Sequence, residues 1–419
     1  MPNDLVIEIG GHVAGPLAAE ELARQGALVI KLETGFNGDP ARKYLTKEIF
    51  TNLNAGKASI GDSVLFGKFS VALYREFLGL ANIIIDNRSP AAKNRDVHLK
   101  SFLNSNVRHP LIYCSIIGYD AETPHPALDV SVQAATGMAM TNAPTAQQPL
   151  KVGFVVLDIT TGIKAASAIK DAIIALKKGY EIPEEDRNVI RIEVSMARIS
   201  ATLQSGQYLK VATENKETFR VGNRDLFMSP FSFYPTKDGA ISLGIVDDSQ
   251  FAKLCTSVLD PSKPEWIKQY PTNKERLEHV VELEKALTEI FKTRPSHFWL
   301  ERCNKHNITC SLVNTITQAL SQPYAKTFFS HTTDRTLIVA DAAISSLFRD
   351  VALSRAPQFN EHQEQIVELL ELSKNENLSF VQLREKMNPA KISTLGKPLV
   401  ARNEVKQSVE TQCALRSRL

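Results

Sequence analysis

The stretch from Leu5 to Leu32 constrains the fold more than any other part of the chain. Leu5-Val-Ile-Glu-Ile9 is an apolar run of strand length. Pro16-Leu-Ala-Ala-Glu-Glu-Leu-Ala-Arg-Gln25 has helical spacing behind a proline and is closed by Gly26, and Ala27-Leu-Val-Ile-Lys-Leu32 is a second strand. Strand, helix and strand in so few residues form a βαβ unit, which implies parallel strands. The pattern continues: Ala81–Asp86 and Leu111–Ile116 read as further strands, about Thr160 to Lys178 as a helix presenting Ile163, Ala166, Ile169, Ile173 and Leu176, and Val189–Val194 as another strand. Residues 1–200 therefore read as the N-terminal part of a large α/β domain.

The texture changes near Arg220-Val-Gly-Asn-Arg224. Phe231 to Gly244 reads as a hairpin around Lys237-Asp-Gly239, and helices follow from Ser249 to about Cys303. This predicts a linker at 201–224, a small α+β domain at 225–325, a linker and return to the large domain at 326–388, and a C-terminal tail at 389–419. Leu399-Val400 and Ala414-Leu415 predict that the tail docks on the large domain. At 419 residues with 43% hydrophobic composition the chain can fill such cores. Its 49 basic and 46 acidic residues are well mixed and give a net charge of +3, which points to no nucleic-acid groove and no membrane-surface patch and leaves anionic small ligands open. Cysteines at 114, 255, 303, 310 and 413 lack secretory spacing, and Met1 leads directly into a strand, so a reducing cytoplasm is expected. No apolar run reaches the eighteen or so residues of a membrane span.

One carboxylate is placed for chemistry. In Lys151-Val-Gly-Phe-Val-Val-Leu-Asp158-Ile-Thr-Thr-Gly162 an apolar run that reads as a strand ends at Asp158, and a long helix begins two or three residues later. A carboxylate facing the positive end of a helix suits a nucleophile whose reaction builds negative charge on a neighbouring oxygen. The alternative is an ordinary helix cap. Two other patterns carry less. Gly10-Gly-His-Val-Ala-Gly15 after a strand, trailed by Glu33, imitates a dinucleotide fingerprint, but His12 stands where the middle glycine must be, so neither nicotinamide nor flavin is expected. His297, Cys303, His306 and Cys310 lack paired ligand spacing, so no metal is expected either.

The ordered set of segments resembles the class III CoA-transferases, the CaiB/BaiF group that includes formyl-CoA transferase, carnitine CoA-transferase and α-methylacyl-CoA racemase. The resemblance runs through Val13-Ala-Gly-Pro16, Ala27 to Glu33, Gly38-Asp-Pro-Ala-Arg42, Asn54-Ala-Gly-Lys57, Ala81 to Asn87 and His109 to Ser115. It continues with Leu128-Asp129 leading to Gln133 and Gly137, the Asp158 segment, and Ile192-Glu-Val-Ser-Met196. In the second domain it includes Gly222-Asn223, Thr236-Lys-Asp-Gly239, Arg294-Pro295 with Trp299, and Val313-Asn314, and it closes with Ala356-Pro357 and Glu361-His362.

What this resemblance implies is a Rossmann-like large domain completed by the C-terminal part, a small α+β domain, and a homodimer of interlocked rings. The implied activity moves CoA from an acyl-CoA to a free carboxylic acid. Asp158 is the implied nucleophile, forming a mixed anhydride and then an aspartyl-CoA thioester, and backbone amides at the start of the helix after it are the expected oxyanion donors. CoA and acyl-CoA enter as substrates, with no permanently bound cofactor. Arg42, Lys57, Asn87, Arg88 and Arg95 are the implied CoA contacts, since guanidinium and ammonium groups suit a 3′-phosphate and a pyrophosphate. The chain departs from the family pattern at Val13, Thr34 and Leu128, and the last replaces the racemase's histidine. A catalytically weak acyl-CoA-binding relative and an acyl-CoA racemase are the competing readings.

Overall fold

The computed structural model describes residues 4–34, 37–44, 47–61, 71–120, 125–141, 148–215, 222–342, 353–376, 378–380 and 382–383. The tail at 389–419 lies outside the described residues. By contacts the chain divides into two units, the first comprising 1–136, 152–209 and 327–419, the second 137–151 and 210–326.

In the first unit β1 (Leu5–Ile9), α1 (Ala14–Ala23) and β2 (Leu28–Glu33) form the βαβ unit that the sequence predicts. There follow α2 (Lys47–Asn54), β3 (Lys57–Gly61), α3 (Val71–Leu80), β4 (Ile83–Asp86), α4 (Pro90–Arg95), α5 (Val97–Leu103), β5 (Leu111–Ile117), α6 (Asp129–Ala135), α7 (Val156–Lys177), β6 (Val189–Ser195) and α8 (Met196–Leu203). The strands make one six-stranded sheet in the order β3-β2-β1-β4-β5-β6, with every neighbouring pair parallel. The chain winds outward from β1 in one direction and then returns to wind outward from β4 in the other. In sheets of this kind the crevice at the carboxyl ends of the two strands where the order reverses is where ligands bind.

Both faces of β1, β2 and β4 are covered, which explains why these strands read as near-continuous apolar runs. Leu5, Ile7, Ile9, Ile30 and Ile60 pack with Tyr74 and Phe77 of α3 and Phe102 of α5 on one face. Val6, Val29, Ile83, Ile85 and Ile112 pack with Ala18 and Leu22 of α1 and Ala165 and Ile169 of α7 on the other. The apolar pattern does not announce β3, because Lys57 and Ser59 are polar; both are nevertheless fully buried, among ionised partners.

The second unit is built on an antiparallel sheet of β7 (Phe231–Pro235), β8 (Ala240–Gly244) and β9 (Thr309–Leu312). Alternation in β7 and β8 turns Tyr234, Ile241 and Leu243 inward onto Leu287 and Phe291 of α9 (Val280–Phe291) and Trp299 of α10 (Ser296–Lys305). The chain then returns to the first unit through the hairpin β10 (Phe329–His331) and β11 (Leu337–Val339) and through α11 (Gln363–Glu376). Ile366, Leu369 and Leu370 of α11 lie in the same core as β1 and β2, so the core on one face of the large sheet is completed by residues more than 300 positions downstream.

Candidate active site

The crevice between β1 and β4 is closed by a side chain. Asn87, directly after β4, accepts a hydrogen bond from the Gly11 amide (3.1 Å) and donates one to the Gly11 carbonyl (2.7 Å). Its amide thus pairs with the β1–α1 loop as a neighbouring strand would. This explains the glycines of the false dinucleotide motif: a Cβ at Gly10 would fall 1.9 Å from Asn87 Oδ1, and one at Gly11 2.4 Å from Asp39 Oδ1. Gly10 also has φ +135°, open to glycine and strained for other residues. Glu33, which imitates a ribose-binding acid, is instead held by Arg42, Ser59 and the Asp39 amide.

Asp158 stands at the same carboxyl edge of the sheet. The run before it is not a strand: residues 152–155 have no regular structure and α7 begins at Val156, so Asp158 belongs to the first helical turn. A short apolar run cannot separate strand from buried helix start, and Leu157 is buried in the helix. One turn further on, Gly162 allows close approach to α1, since a Cβ there would fall 2.8 Å from the Ala14 carbonyl oxygen. That contact brings the start of α7 beside the start of α1, which carries no side-chain cap at Val13.

Asp158 does not cap its helix. Val155, the capping position, offers no side-chain acceptor. The acceptor is Asp129 of α6, whose Oδ2 takes the amides of Leu157 (2.7 Å) and Asp158 (3.1 Å). Oδ1 of Asp129 accepts from Gln133 Nε2, and Gln133 Oε1 accepts the Val152 amide (2.9 Å). The other early amides of α7 are also committed, Val156 to the Phe154 carbonyl and Ile159 to the Val155 carbonyl. The expectation that oxyanion donors come from the start of α7 therefore fails, because its first-turn amides already have acceptors.

What this leaves is a half-buried Asp158 carboxylate that makes no hydrogen bond or ion pair among the described residues. Burial pushes its carboxyl up to about 7, and the Asp129 charge adds to the rise. A half-buried, unpartnered acid pushed up by burial beside a second carboxylate is a candidate for a reactive site. Asp129 is quoted in the sequence motif but given no role there. The signal that could have found it is the absence of capping chemistry around Val155, which obliges a long helix to take an acceptor from elsewhere.

The five cationic and amide positions separate sharply. Lys57 is fully buried, and its ammonium donates to Glu8 Oε2 (2.6 Å), the Pro16 carbonyl (2.8 Å) and Asn54 Oδ1 (3.1 Å). Burial pulls it down to about 8 against the pull of Glu8, and none of its three donors is left for a phosphate. Arg42 forks onto Glu33 (2.8 and 2.6 Å), donates to the Pro357 carbonyl and stacks over Phe50. Arg88 forks onto Asp86 (3.0 and 2.8 Å) and reaches Asp96 (3.0 Å). Asn87 is held by Gly11. Arg95, at the end of α4, is exposed and has no partner among the described residues. Lys93 ties α4 to the carboxyl end of β5 through Ser115 Oγ (2.7 Å) and the Ile116 carbonyl (2.8 Å). Leu128 precedes α6 with its side chain exposed. Among the described residues no group of three or more His, Cys, Asp or Glu side chains is disposed to hold a metal ion, and no helix is long and apolar enough to cross a membrane.

A sequence model of CoA-transferase family III matches residues 4–363. The succinate–glutarate CoA-transferase of Agrobacterium fabrum is 30% identical over 339 residues, covering 76% of this chain and 81% of that protein. The human succinyl-CoA:glutarate CoA-transferase is 27% identical over 330 residues, covering 76% of this chain and 72% of that protein. Among solved structures, a CaiB/BaiF family protein from Brucella suis superposes with a TM-score of 0.70 at 24% identity, over 88% of this chain and 99% of that one.

Proposed function

The chain belongs to CoA-transferase family III, and from that premise we propose that it exchanges CoA between two short dicarboxylic acids through covalent intermediates on Asp158. The observation that carries the reading is the Asp158 carboxylate itself, unpartnered on the first turn of α7 while another residue caps the helix. The dicarboxylate class follows from the two relatives named for succinate or succinyl-CoA and glutarate.

In the first step an Asp158 oxygen attacks the thioester carbon. A C–O bond forms, the C–S bond breaks, and CoA leaves as a thiolate with the electron pair, giving a mixed anhydride. The thiolate then attacks the Asp158 carbonyl of the anhydride, expels the donor acid as a carboxylate and leaves an aspartyl-CoA thioester. The acceptor carboxylate attacks that thioester, releasing the thiolate and forming a second anhydride. Finally the thiolate attacks the acceptor carbonyl, and the Asp158 carboxylate is restored. Each step passes through an oxyanion, and the donors we assign are the Ala14 and Gly15 amides of α1, whose start lies beside that of α7 and has no side-chain cap. The thioester's energy is kept only if water is excluded.

For the nucleotide portion of CoA the reading keeps Arg95 as the phosphate contact, because it is the exposed and unpartnered member of the set. Arg42, Asn87, Arg88 and Lys57 frame the carboxyl edge. A homodimer of interlocked rings remains part of the proposal, supported by a chain that leaves the first unit at 210 and rejoins it at 327. Sedimentation at nanomolar concentration giving a compact native species of 46.4 kDa would remove it.

The test is intact-protein mass spectrometry after incubation with succinyl-, glutaryl-, acetyl- and oxalyl-CoA, followed by exchange assays with the free acids. Adducts on Asp158 are expected with the dicarboxylic thioesters. Asp158→Ala should lower exchange by about three orders of magnitude or more, several kcal/mol of barrier. Near wild-type exchange by Asp158→Ala would refute the nucleophile, and adduct formation with acetyl-CoA alone would refute the substrate class.

A further inference from the structure

We propose that Asp129 is the positioning residue for Asp158: it fixes the turn that carries the nucleophile, and its charge favours acylated Asp158 over the free carboxylate. The inference rests on the assignment of Asp158 as nucleophile. Its first ground is geometry. A helix begins with amides that lack internal partners, and an ordinary cap comes from the residue just before them. Here the acceptor comes from 29 residues upstream and takes the amide of Asp158 itself, so the backbone of the nucleophile is held directly by the Asp129 carboxylate. Asp129 is in turn fixed by Gln133, four residues on in α6, and the second end of that amide group holds the Val152 amide in the lead-in to α7. Two side chains of α6 therefore fix both the approach and the first turn of the catalytic helix.

The second ground is charge. Asp129 is buried, and its Oδ2 binds the amide of the residue whose side chain reacts. When Asp158 attacks a thioester, its negative charge passes to the departing thiolate, and the repulsion between two neighbouring carboxylates disappears. Free Asp158 is therefore destabilised relative to its acylated forms, and the ionised carboxylate is the more nucleophilic for its raised proton affinity. The elements packed against α7 also carry Glu20 and Glu21 on α1 with Arg24 directly after it, Arg191 and Glu193 on β6, and Arg198 on α8. Glu21 pairs with Lys170, three turns along α7, and Glu20 with Arg24. Of the charged groups, Asp129 is the one that raises Asp158.

The test uses Asp129→Asn and Asp129→Glu in the full-length protein. Asparagine keeps the shape and one acceptor oxygen but removes the charge. In Asp129→Asn the acidic limb of kcat/KM is expected to move to lower pH by about one unit, and the yield of acylated Asp158 at pH 8 to fall about ten-fold. Asp129→Glu should recover the wild-type limb in part. A cap that is structural and nothing more would lower the melting temperature and leave the limb in place, and that result overturns the proposal. Titration of labelled aspartate by ¹³C NMR reads the same shift without turnover, so an inactive Asp129→Asn still decides the question: an unmoved Asp158 resonance refutes it. If Asp129→Asn does not fold, Asp129→Ser, which also keeps an acceptor oxygen and removes the charge, takes its place, with an Asp158 titration displaced to lower pH as the expected result and an identical titration as the refutation. Failure of the Asp158 assignment is distinguishable, because Asp158→Ala would then still form adducts whatever Asp129 does.

Discussion

Replacing Asp158 by Asn should abolish exchange and at the same time make the protein harder to unfold, by an amount that depends on pH. The folded chain holds the Asp158 carboxyl at about 7 against an ordinary value of 3.8, through burial first and the Asp129 charge second. Below 3.8 both folded and unfolded chains carry the proton and the group contributes nothing. Between about 4 and 7 the unfolded chain releases a proton that the folded chain keeps, so stability falls as pH rises, and above about 7 the whole penalty is present. At about 1.36 kcal/mol per pH unit, that interval sets an upper limit of about 4 kcal/mol. The positive ends of α7 and α1 act in the opposite sense by about 0.3–1 kcal/mol each, and partial exposure screens the remainder. The expected gain for Asp158→Asn is therefore about 2 kcal/mol at pH 8 and close to zero at pH 4. Asparagine conserves the volume, so packing does not confuse the comparison. Urea unfolding of both proteins at pH 4.5, 6 and 8 measures it, as a displacement of the midpoint at constant slope. A displacement that is the same at every pH, or a wild type that is the more stable at pH 8, would refute the reasoning.

Lys57→Met and Arg95→Ala should part company: the first leaves Glu8 buried with one cation fewer and should cost about 3–5 kcal/mol of stability, read as a lower melting temperature, whereas the second should leave melting unchanged and raise KM for acyl-CoA about three- to ten-fold. Equal effects on melting would show that the exposed and buried cations had been misread. Gly10→Ala should destabilise by more than about 2 kcal/mol, since it meets both the backbone strain and the Asn87 amide, and adding Asn87→Ala should return part of that loss. A strictly additive double variant would refute the contact. With Leu128 in place of an ionisable side chain, 2-methylacyl-CoA in deuterated water should gain no label at Cα, and Asp158-dependent incorporation would revive a racemase.

The α/β half of the chain is legible in the sequence because β1, β2 and β4 are buried on both faces, and continuous apolar runs are what such burial requires. β3 was hidden for the opposite reason. Its Lys57 and Ser59 are buried only because Glu8 and Glu33, on other strands, supply charge and acceptors, and no local pattern records partners that come from elsewhere in the chain. The same limit applies to the cations. Lys57, Arg42, Arg88 and Arg95 are alike in sequence, and what separates an exposed cation from an ion pair is the carboxylate each one finds on folding. Spacing alone excludes a dinucleotide loop at Gly10 and Gly11, whereas their use, making room for Asn87 and Asp39, depends on residues that only folding brings to them.

Asp158 shows why a residue type at a helix start cannot settle its own role. Aspartate is a favoured cap because its carboxylate accepts first-turn amides, and an Asp158 used in that way would have its lone pairs committed to its own backbone. Here the cap is a second aspartate, brought 29 residues through the fold to do that work, so the first keeps both oxygens uncommitted among the described residues. The arrangement also moves the sites available for oxyanion binding. Once Asp129 has taken the Leu157 and Asp158 amides, α7 can hold the proposed nucleophile but has no free first-turn amide for an oxyanion, and the neighbouring helix start that carries no side-chain cap is that of α1. The close crossing at Gly162 joins the two functions, since a side chain there would collide with the Ala14 carbonyl and push the start of α1 away from Asp158. Gly162→Ala should therefore lower the rate of adduct formation far more than it lowers acyl-CoA affinity. Equal losses in both would indicate that the crossing serves packing alone.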